Sequence, residues 1–433
     1  MYRGTLLMTF LLYANYAAWL GAVCVGSRLF HSDPAKNWVV LVAGSNGWEN
    51  YRHQADIFHA YQVVKQHNVP AENIITFAYD DIAFNSRNPF RGKVFNDYAH
   101  KDVYEGVQID YRAEDVTPEN FLRALKGDKD LEATGKKVLN SGPEDYVFVY
   151  YADHGAGGIV AFPEDELSAM DLNKTLSYMH THGMYKKLVI YLEACESGSM
   201  FEDILPSNIG IYVTTAANSD ESSWASYCQD EVIDSCLADE YSHNWLVDSE
   251  KHDLNQYTLD QQFDSVKQST VQSHVSKYGE MDMGSLPVGE FQGYSEQSIR
   301  LDSATTSQVL DSRPSRWAHL TTMSRRLMQA KTVEEHELAS RKLYRALQLA
   351  QIVKQTFDDI VMDVTTFHHP TIHVLSKSEE LKCYDAVFQQ FKKRCFTIRQ
   401  VPEVAQHARR LWKLCKEGYA TGIIIEAVHN LCS

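Results

Sequence analysis

Two strand ends in this chain carry residues that could do chemistry together. Leu188-Val189-Ile190-Tyr191-Leu192-Glu193-Ala194 is an apolar, β-branched run that reads as a buried strand. Cys195 follows at its carboxyl end, and Glu196-Ser197-Gly198-Ser199 then breaks the run. A second apolar run, Asp145 to Ala152, ends in Asp153-His154-Gly155. In open α/β sheets, ligands gather beyond the carboxyl ends of the strands. A thiol at one end and an imidazole at another suit nucleophilic catalysis. The imidazole takes the thiol proton and later returns it to a leaving group. The glycine after His154 lets backbone N–H groups approach a ligand closely. Taken singly, Cys195 fits a small apolar core residue equally well. The pair of strand ends is what points to catalysis.

The elements that must position these residues follow in order. Trp38 to Ala43 reads as a buried strand, His53 to His67 as a helix and Ile74 to Tyr79 as a second strand. Thr117-Pro118-Glu119 is a helix-start signal ahead of Phe121 to Leu125. After the strands ending at His154 and Cys195, another runs from Ile209 to Thr215. This alternation predicts an α/β fold: a mostly parallel sheet with helices on both faces. The first strand ends in Gly44-Ser45-Asn46-Gly47, but no glycine-lysine phosphate loop follows, which argues against nucleotide binding. Gly293 to Arg316 is rich in Ser, Thr, Asp and Arg and reads as an exposed linker. From Ser315 to His369 there is no Gly and no Pro. Thr332-Val333-Glu334-Glu335 fits a capping box. Leu338, Leu343, Leu347, Ala350, Phe357 and Val361 recur at helical spacing, with Lys354 the one polar interruption, and Pro370 is the expected break. The tail is therefore helical.

Asp153-His154-Gly155, together with Glu193-Ala194-Cys195-Glu196-Ser197-Gly198-Ser199-Met200, resembles the signature of the legumain family of asparaginyl endopeptidases. The similarity runs from about Trp38 to Tyr294 and resumes in the last third of the chain. It includes Val42 to Trp48, Asn50-Tyr51-Arg52-His53-Gln54-Ala55-Asp56 and Tyr79 to Ala83. The resemblance implies a caspase-like sheet followed by an all-α, disulfide-linked inhibitory prodomain. It implies Cys195 as nucleophile, His154 as acid and base, and Asn50 as the group orienting the imidazole. The N–H groups of Gly155 and Cys195 would form the oxyanion hole. Arg52, His53, Glu193, Ser222 and Asp239 would form a pocket for asparagine, whose amide presents one acceptor and two donors. A protonated aspartic acid is nearly isosteric, so acid pH is expected to admit Asp. Neither metal nor cofactor is expected. Transfer of the acyl group to an amine, and hence peptide ligation, is also implied. Two other readings are an inactive binding module and a cytosolic caspase-like enzyme cutting after Asp. The intact Cys195, His154 and Asn50 argue against the first; the leader and paired cysteines described next argue against the second.

Met1-Tyr2-Arg3 precedes an uncharged apolar stretch from Thr5 to Leu20, and small residues follow to Cys24. That pattern predicts a signal peptide over 1–24. The remaining organisation is expected as a short propeptide over 25–36, a catalytic domain over 37–293, an activation linker over 294–325 and the prodomain over 326–433. No later segment is apolar and long enough to span a bilayer. Seven cysteines remain beyond Cys24, the parity of one free thiol and three bridges. Cys228 and Cys236 close a local loop. The last four, Cys383, Cys395, Cys415 and Cys432, permit three pairings; the resemblance implies Cys383–Cys415 and Cys395–Cys432. Asn173-Lys174-Thr175 is a glycosylation sequon. These features predict a secretory-pathway protein, in a lysosome-like acidic compartment or secreted.

The net charge of −16 argues against a nucleic-acid partner. From Met323 onward there are 17 Lys and Arg against 12 Asp and Glu, while the first 322 residues carry 24 and 45. An acidic body followed by a basic tail suits an intramolecular pair. The expected partners are protein and peptide substrates, the chain's own tail as inhibitor, and cystatin-like inhibitors. The family's processing asparagine is replaced by Gln329 in Ser324-Arg325-Arg326-Leu327-Met328-Gln329, and no asparagine occurs from Gln256 to His429. Self-cleavage after Asp302 or Asp311 in acid is the expected route. A trypsin-like or cathepsin-like protease acting at Arg313, Arg316, Arg325 or Arg326 is the alternative.

Overall fold

Six strands form the central sheet: β1 (Asn37–Ala43), β2 (Ile74–Phe77), β3 (Tyr146–Ala152), β4 (Lys187–Glu193), β5 (Ile211–Thr215) and β6 (Ser276–Gly279). Their spatial order is β6-β5-β4-β3-β1-β2, with β1 to β5 parallel and β6 antiparallel at one edge. The computed structural model describes residues 36–294, 311–370 and 375–432. The signal peptide, all but the last residue of the expected propeptide, and Asp302 lie outside the described residues.

Alternate side chains of the central strands face opposite cores. Val39, Leu41, Phe148, Tyr150, Val189 and Tyr191 pack on one side of the sheet. Val40, Val42, Val147, Val149, Leu188 and Ile190 pack on the other. Burial on both faces is why these strands read as unbroken apolar runs. Registers align Ala43 with Ala152 and Ala152 with Glu193, so β1, β3 and β4 end level with one another. Around the sheet lie α1 (Tyr51–Gln66), α2 (Ala169–Thr181) and α3 (Glu240–Lys251), among others.

The tail comprises α4 (Ala318–Gln329), α5 (Val333–Phe367), α6 (Lys377–Arg394), α7 (Glu403–Lys416) and α8 (Thr421–Leu431). The capping box at Thr332 and Glu335 starts α5, and a second at Ser376 and Glu379 starts α6. Disulfides join Cys383 to Cys415 and Cys395 to Cys432; the third joins Cys228 to Cys236. Val353, Phe357, Ile360 and Val364 of α5 pack with Phe391, Leu411 and Ile424, and Ala156 and Ile159 from beyond β3 join that core. Among the described residues no helix is long and apolar enough to cross a membrane.

The apolar stripe on α5 is helical as expected and is buried only in the second half of the helix; Leu338 and Leu347 are about half exposed. Two sequence expectations change. The described part of the expected linker is not an exposed loop. Arg313 and Pro314 pair antiparallel with the short strand Trp224–Ser226, and Asp311 is 8% exposed, its carboxylate accepting from Gln229 N–H and Tyr98. The sequon residue Asn173 is buried within α2, donating both amide hydrogens, to Ala169 O at 2.8 Å and Met200 O at 3.0 Å. A glycan on that nitrogen does not fit this fold.

Candidate active site

The level ends of β1, β3 and β4 bring three short turns together. After β4, the chain passes Ala194 and reaches Cys195, the free cysteine among the described residues, which is 4% exposed. After β3 come Asp153, His154 and Gly155. A Cβ on Gly155 would overlap the Cys195 carbonyl oxygen and the Ala194 Cβ. Only glycine lets the histidine turn lie this close to the cysteine turn. Glu196 has φ 52°, a left-handed conformation uncommon outside glycine and of the kind found where a turn displays a functional group.

The imidazole is oriented from the β1 side. Asn50 is the N-cap of α1, yet its side chain does not cap the helix. Its amide nitrogen donates to Asn46 O at 3.0 Å, and its oxygen accepts from His154 Nε2 at 2.8 Å. That places the ring hydrogen on Nε2 and leaves Nδ1 as the acceptor nitrogen. Burial, with Arg52 and His319 nearby, lowers the His154 pKa well below the usual imidazole range, which favours the neutral ring. The Cys195 Sγ contacts Ser222 Oγ at 3.2 Å and Ser223 Oγ at 3.8 Å.

A buried charge network lies beside the thiol. Arg52 Nε donates to Asp239 Oδ1 at 2.8 Å. The His53 ring sits between Asp153 at 2.9 Å and Asp239 at 3.5 Å, and meets Ser45 Oγ at 2.7 Å. Glu193 accepts from the backbone N–H of Ser242 at 3.1 Å and its hydroxyl at 2.9 Å. Burial, with Asp239 nearby, raises the Glu193 carboxyl well above its usual range. Arg52, His53, Glu193 and Asp239 therefore lie in one cluster. Ser222 stands apart from it, against the sulfur. His53, Asp153 and His154 offer ligand atoms within 4.8 Å of one another; His53 Nδ1 meets Ser45 and Asp153, and His154 Nε2 meets Asn50.

The tail covers this site. Ser315 donates from its backbone to Ser223 O at 2.9 Å and from its hydroxyl to Asp239 Oδ1 at 3.0 Å. Arg316 and Arg409 lie 3.7 and 3.8 Å from the two Glu196 carboxylate oxygens. Burial pushes that carboxyl up to about 7. A Cβ on Gly157 would meet Trp412 of α7. Sequence reasoning gave no role to Ser45, Asp153, Ser223, Ser242 or Ser315. Asp153 and Ser45 lie inside quoted motifs; Ser315 carried no signal.

Fold and strand-end chemistry together define a cysteine-type endopeptidase with a caspase-like sheet. The chain belongs to the Peptidase C13 family, whose model matches residues 37–294. It is 48% identical to the hemoglobinase of Schistosoma mansoni over 395 residues, 91% of each chain. It is 42% identical to the legumain of Rattus norvegicus over 409 residues, 92% of this chain and 93% of that one. Identity to the vacuolar-processing enzyme delta-isozyme of Arabidopsis thaliana is 38% over 433 residues, 93% of this chain and 91% of that one.

Proposed function

We propose that the chain is the zymogen of an endopeptidase that cleaves after asparagine, and after aspartate in acid. The supporting observation is the buried cluster of Arg52, His53, Glu193 and Asp239 beside the only free cysteine among the described residues. A guanidinium and carboxylates in one cluster suit an amide side chain, which presents both an acceptor and donors. In the reaction His154 Nδ1 takes the Cys195 proton and the sulfur attacks the scissile carbonyl. The N–H groups of Gly155 and Cys195 bond the oxyanion. The C–N bond breaks as His154 protonates the leaving amine, leaving a thioester. Water, deprotonated by His154, attacks the thioester and restores the thiol. Cleavage-site profiling of a peptide library at neutral and acid pH tests this reading. Asn is expected at both values and Asp in acid alone, with Cys195→Ser inactive. Cleavage by purified Cys195→Ser would overturn it.

The tail is proposed as the inhibitor. Its cations face body carboxylates at Arg399–Glu164, Arg409–Asp220 and Lys392–Glu166. Acid weakens such pairs by protonating their carboxylates. An acidic, lysosome-like compartment suits that release, and three disulfides fit the secretory route. Asp302 remains a candidate cut. Asp311 does not, unless its strand first detaches. The turn between α4 and α5 is the accessible alternative: Gln329, Lys331 and Thr332 are exposed, and Lys331 suits a trypsin-like protease acting in trans.

A further inference from the structure

One face of α1 carries Arg52, Asp56 and His59 at helical spacing. Arg52 holds the Asp239 side chain through Nε at 2.8 Å. One turn later Asp56 holds the Asp239 backbone: its Oδ2 accepts from the Asp239 N–H at 3.2 Å. Asp239 is the N-cap of α3, and an aspartate there ordinarily bonds its own helix's free N–H groups. Here it makes no such bond. Asp56 takes the N–H of Asp239 itself, and Glu193 takes that of Ser242. The Asp239 carboxylate is thereby left to face Arg52 and His53.

Asp56 is held in turn. Its Oδ1 accepts from Asn96 Nδ2 at 2.7 Å. The Asn96 oxygen meets His59 Nδ1 at 2.8 Å, and His59 Nε2 meets Glu250 Oε1 at 3.2 Å near the surface. Asn96 also donates to Leu237 O at 3.0 Å, two residues before Asp239. Asp56 is fully buried and Asn96 is 3% exposed, and both are spent on the fold itself, Asp56 on the Asp239 N–H and Asn96 on Asp56 and Leu237 O.

We propose that Asp56 is a positioning residue for selection of the substrate's asparagine: with Arg52 it grips Asp239 from two sides, and the chain Asn96–His59–Glu250 fixes that grip from the protein surface. The inference rests on the pocket reading above. Burial, with the Asp239 and Glu193 carboxylates facing it, pushes the Asp56 carboxyl well above its usual range.

Full-length Asp56→Ala, Asp56→Asn and His59→Gln proteins, matured alongside the wild type, test it. Leaving the buried Asp239 N–H unpaired should raise KM for an Asn peptide about tenfold in Asp56→Ala, with kcat within about threefold. The rate of Cys195 alkylation by iodoacetamide, which needs no pocket, should not change. Asp56→Asn, which keeps one acceptor, should recover part of the KM loss, and His59→Gln should show a smaller rise. An unchanged KM in folded Asp56→Ala would overturn the proposal, as would a loss confined to kcat or a parallel loss of alkylation. If Asp56→Ala does not fold, Asp56→Asn decides: wild-type KM overturns the proposal, and a raised KM with normal alkylation supports it. A wild-type enzyme that ignores Asn peptides would instead sink the pocket reading itself.

Discussion

Arg409 of the helical tail and Glu196, the residue after the nucleophile, face each other at 3.8 Å across the mouth of the active site. Arg409 also pairs with Asp220, donates to Ser219 O and stacks over Trp412. Arg409→Ala should loosen the tail. Because the arginine is about 40% exposed, screening keeps the effect small, a two- to fivefold faster alkylation of Cys195 in the full-length protein at neutral pH, roughly the range of an exposed pair. An unchanged rate would mean that this contact does not hold the tail.

Glu196 should behave differently. Its carboxyl is raised to about 7 because burial outweighs the pull of Arg316 and Arg409. A carboxyl whose pKa is raised by covering penalises the covered state in full above that pKa; the penalty shrinks as pH falls below about 7 and is gone below the ordinary carboxyl value of 4.5. Glu196→Gln removes the penalty, so the tail should close more tightly at neutral pH and open at lower pH than in wild type. Faster alkylation of Glu196→Gln at neutral pH would show that the ion pairs dominate instead.

Gly155→Ala should be nearly inactive. The new Cβ would drive the histidine turn away from the Cys195 carbonyl and displace a backbone donor of the proposed oxyanion hole. Loss of one such donor lowers kcat by about 100-fold or more. Wild-type kcat in Gly155→Ala would remove this turn from the mechanism.

The His59–Glu250 pair should give the fold a stability maximum in mild acid. Burial lowers His59, but Glu250 outweighs it and leaves the imidazole raised above 6.5. Burial raises Glu250, but His59 outweighs it and leaves the carboxyl lowered below 4.5. The raised histidine contributes fully below 6.5 and loses that contribution as pH rises through its folded pKa. The lowered glutamate contributes above 4.5 and loses it as pH falls. The Tm difference between wild type and His59→Gln should therefore peak between those two values. A difference that is flat with pH would show that the pair is uncharged in the fold.

Asn173 should carry no glycan, as mass spectrometry of its tryptic peptide would show. Asn173→Ala should cost about 1–3 kcal/mol, because the buried carbonyls of Ala169 and Met200 lose their donor. A glycosylated peptide from folded protein would contradict the burial.

Strand runs, helix starts and the placement of Cys195 and His154 were legible in the sequence, because burial on both faces writes itself as unbroken apolar residues. Asn50 and Asp239 were marked by their family motifs alone. Local chemistry makes each an ordinary helix N-cap, and only the packing of α1 against β3 and α3 turns their side chains toward the site. The strand at Arg313 and Pro314 was invisible for a different reason. Its pairing with Trp224–Ser226 is made by the backbone, which leaves no side-chain pattern, so a polar stretch reads as a loop until a sheet edge receives it. The grip of Asp56 on Asp239 spans 183 positions. No spacing rule reaches that far; tertiary structure alone decides which buried carboxylate meets which N–H.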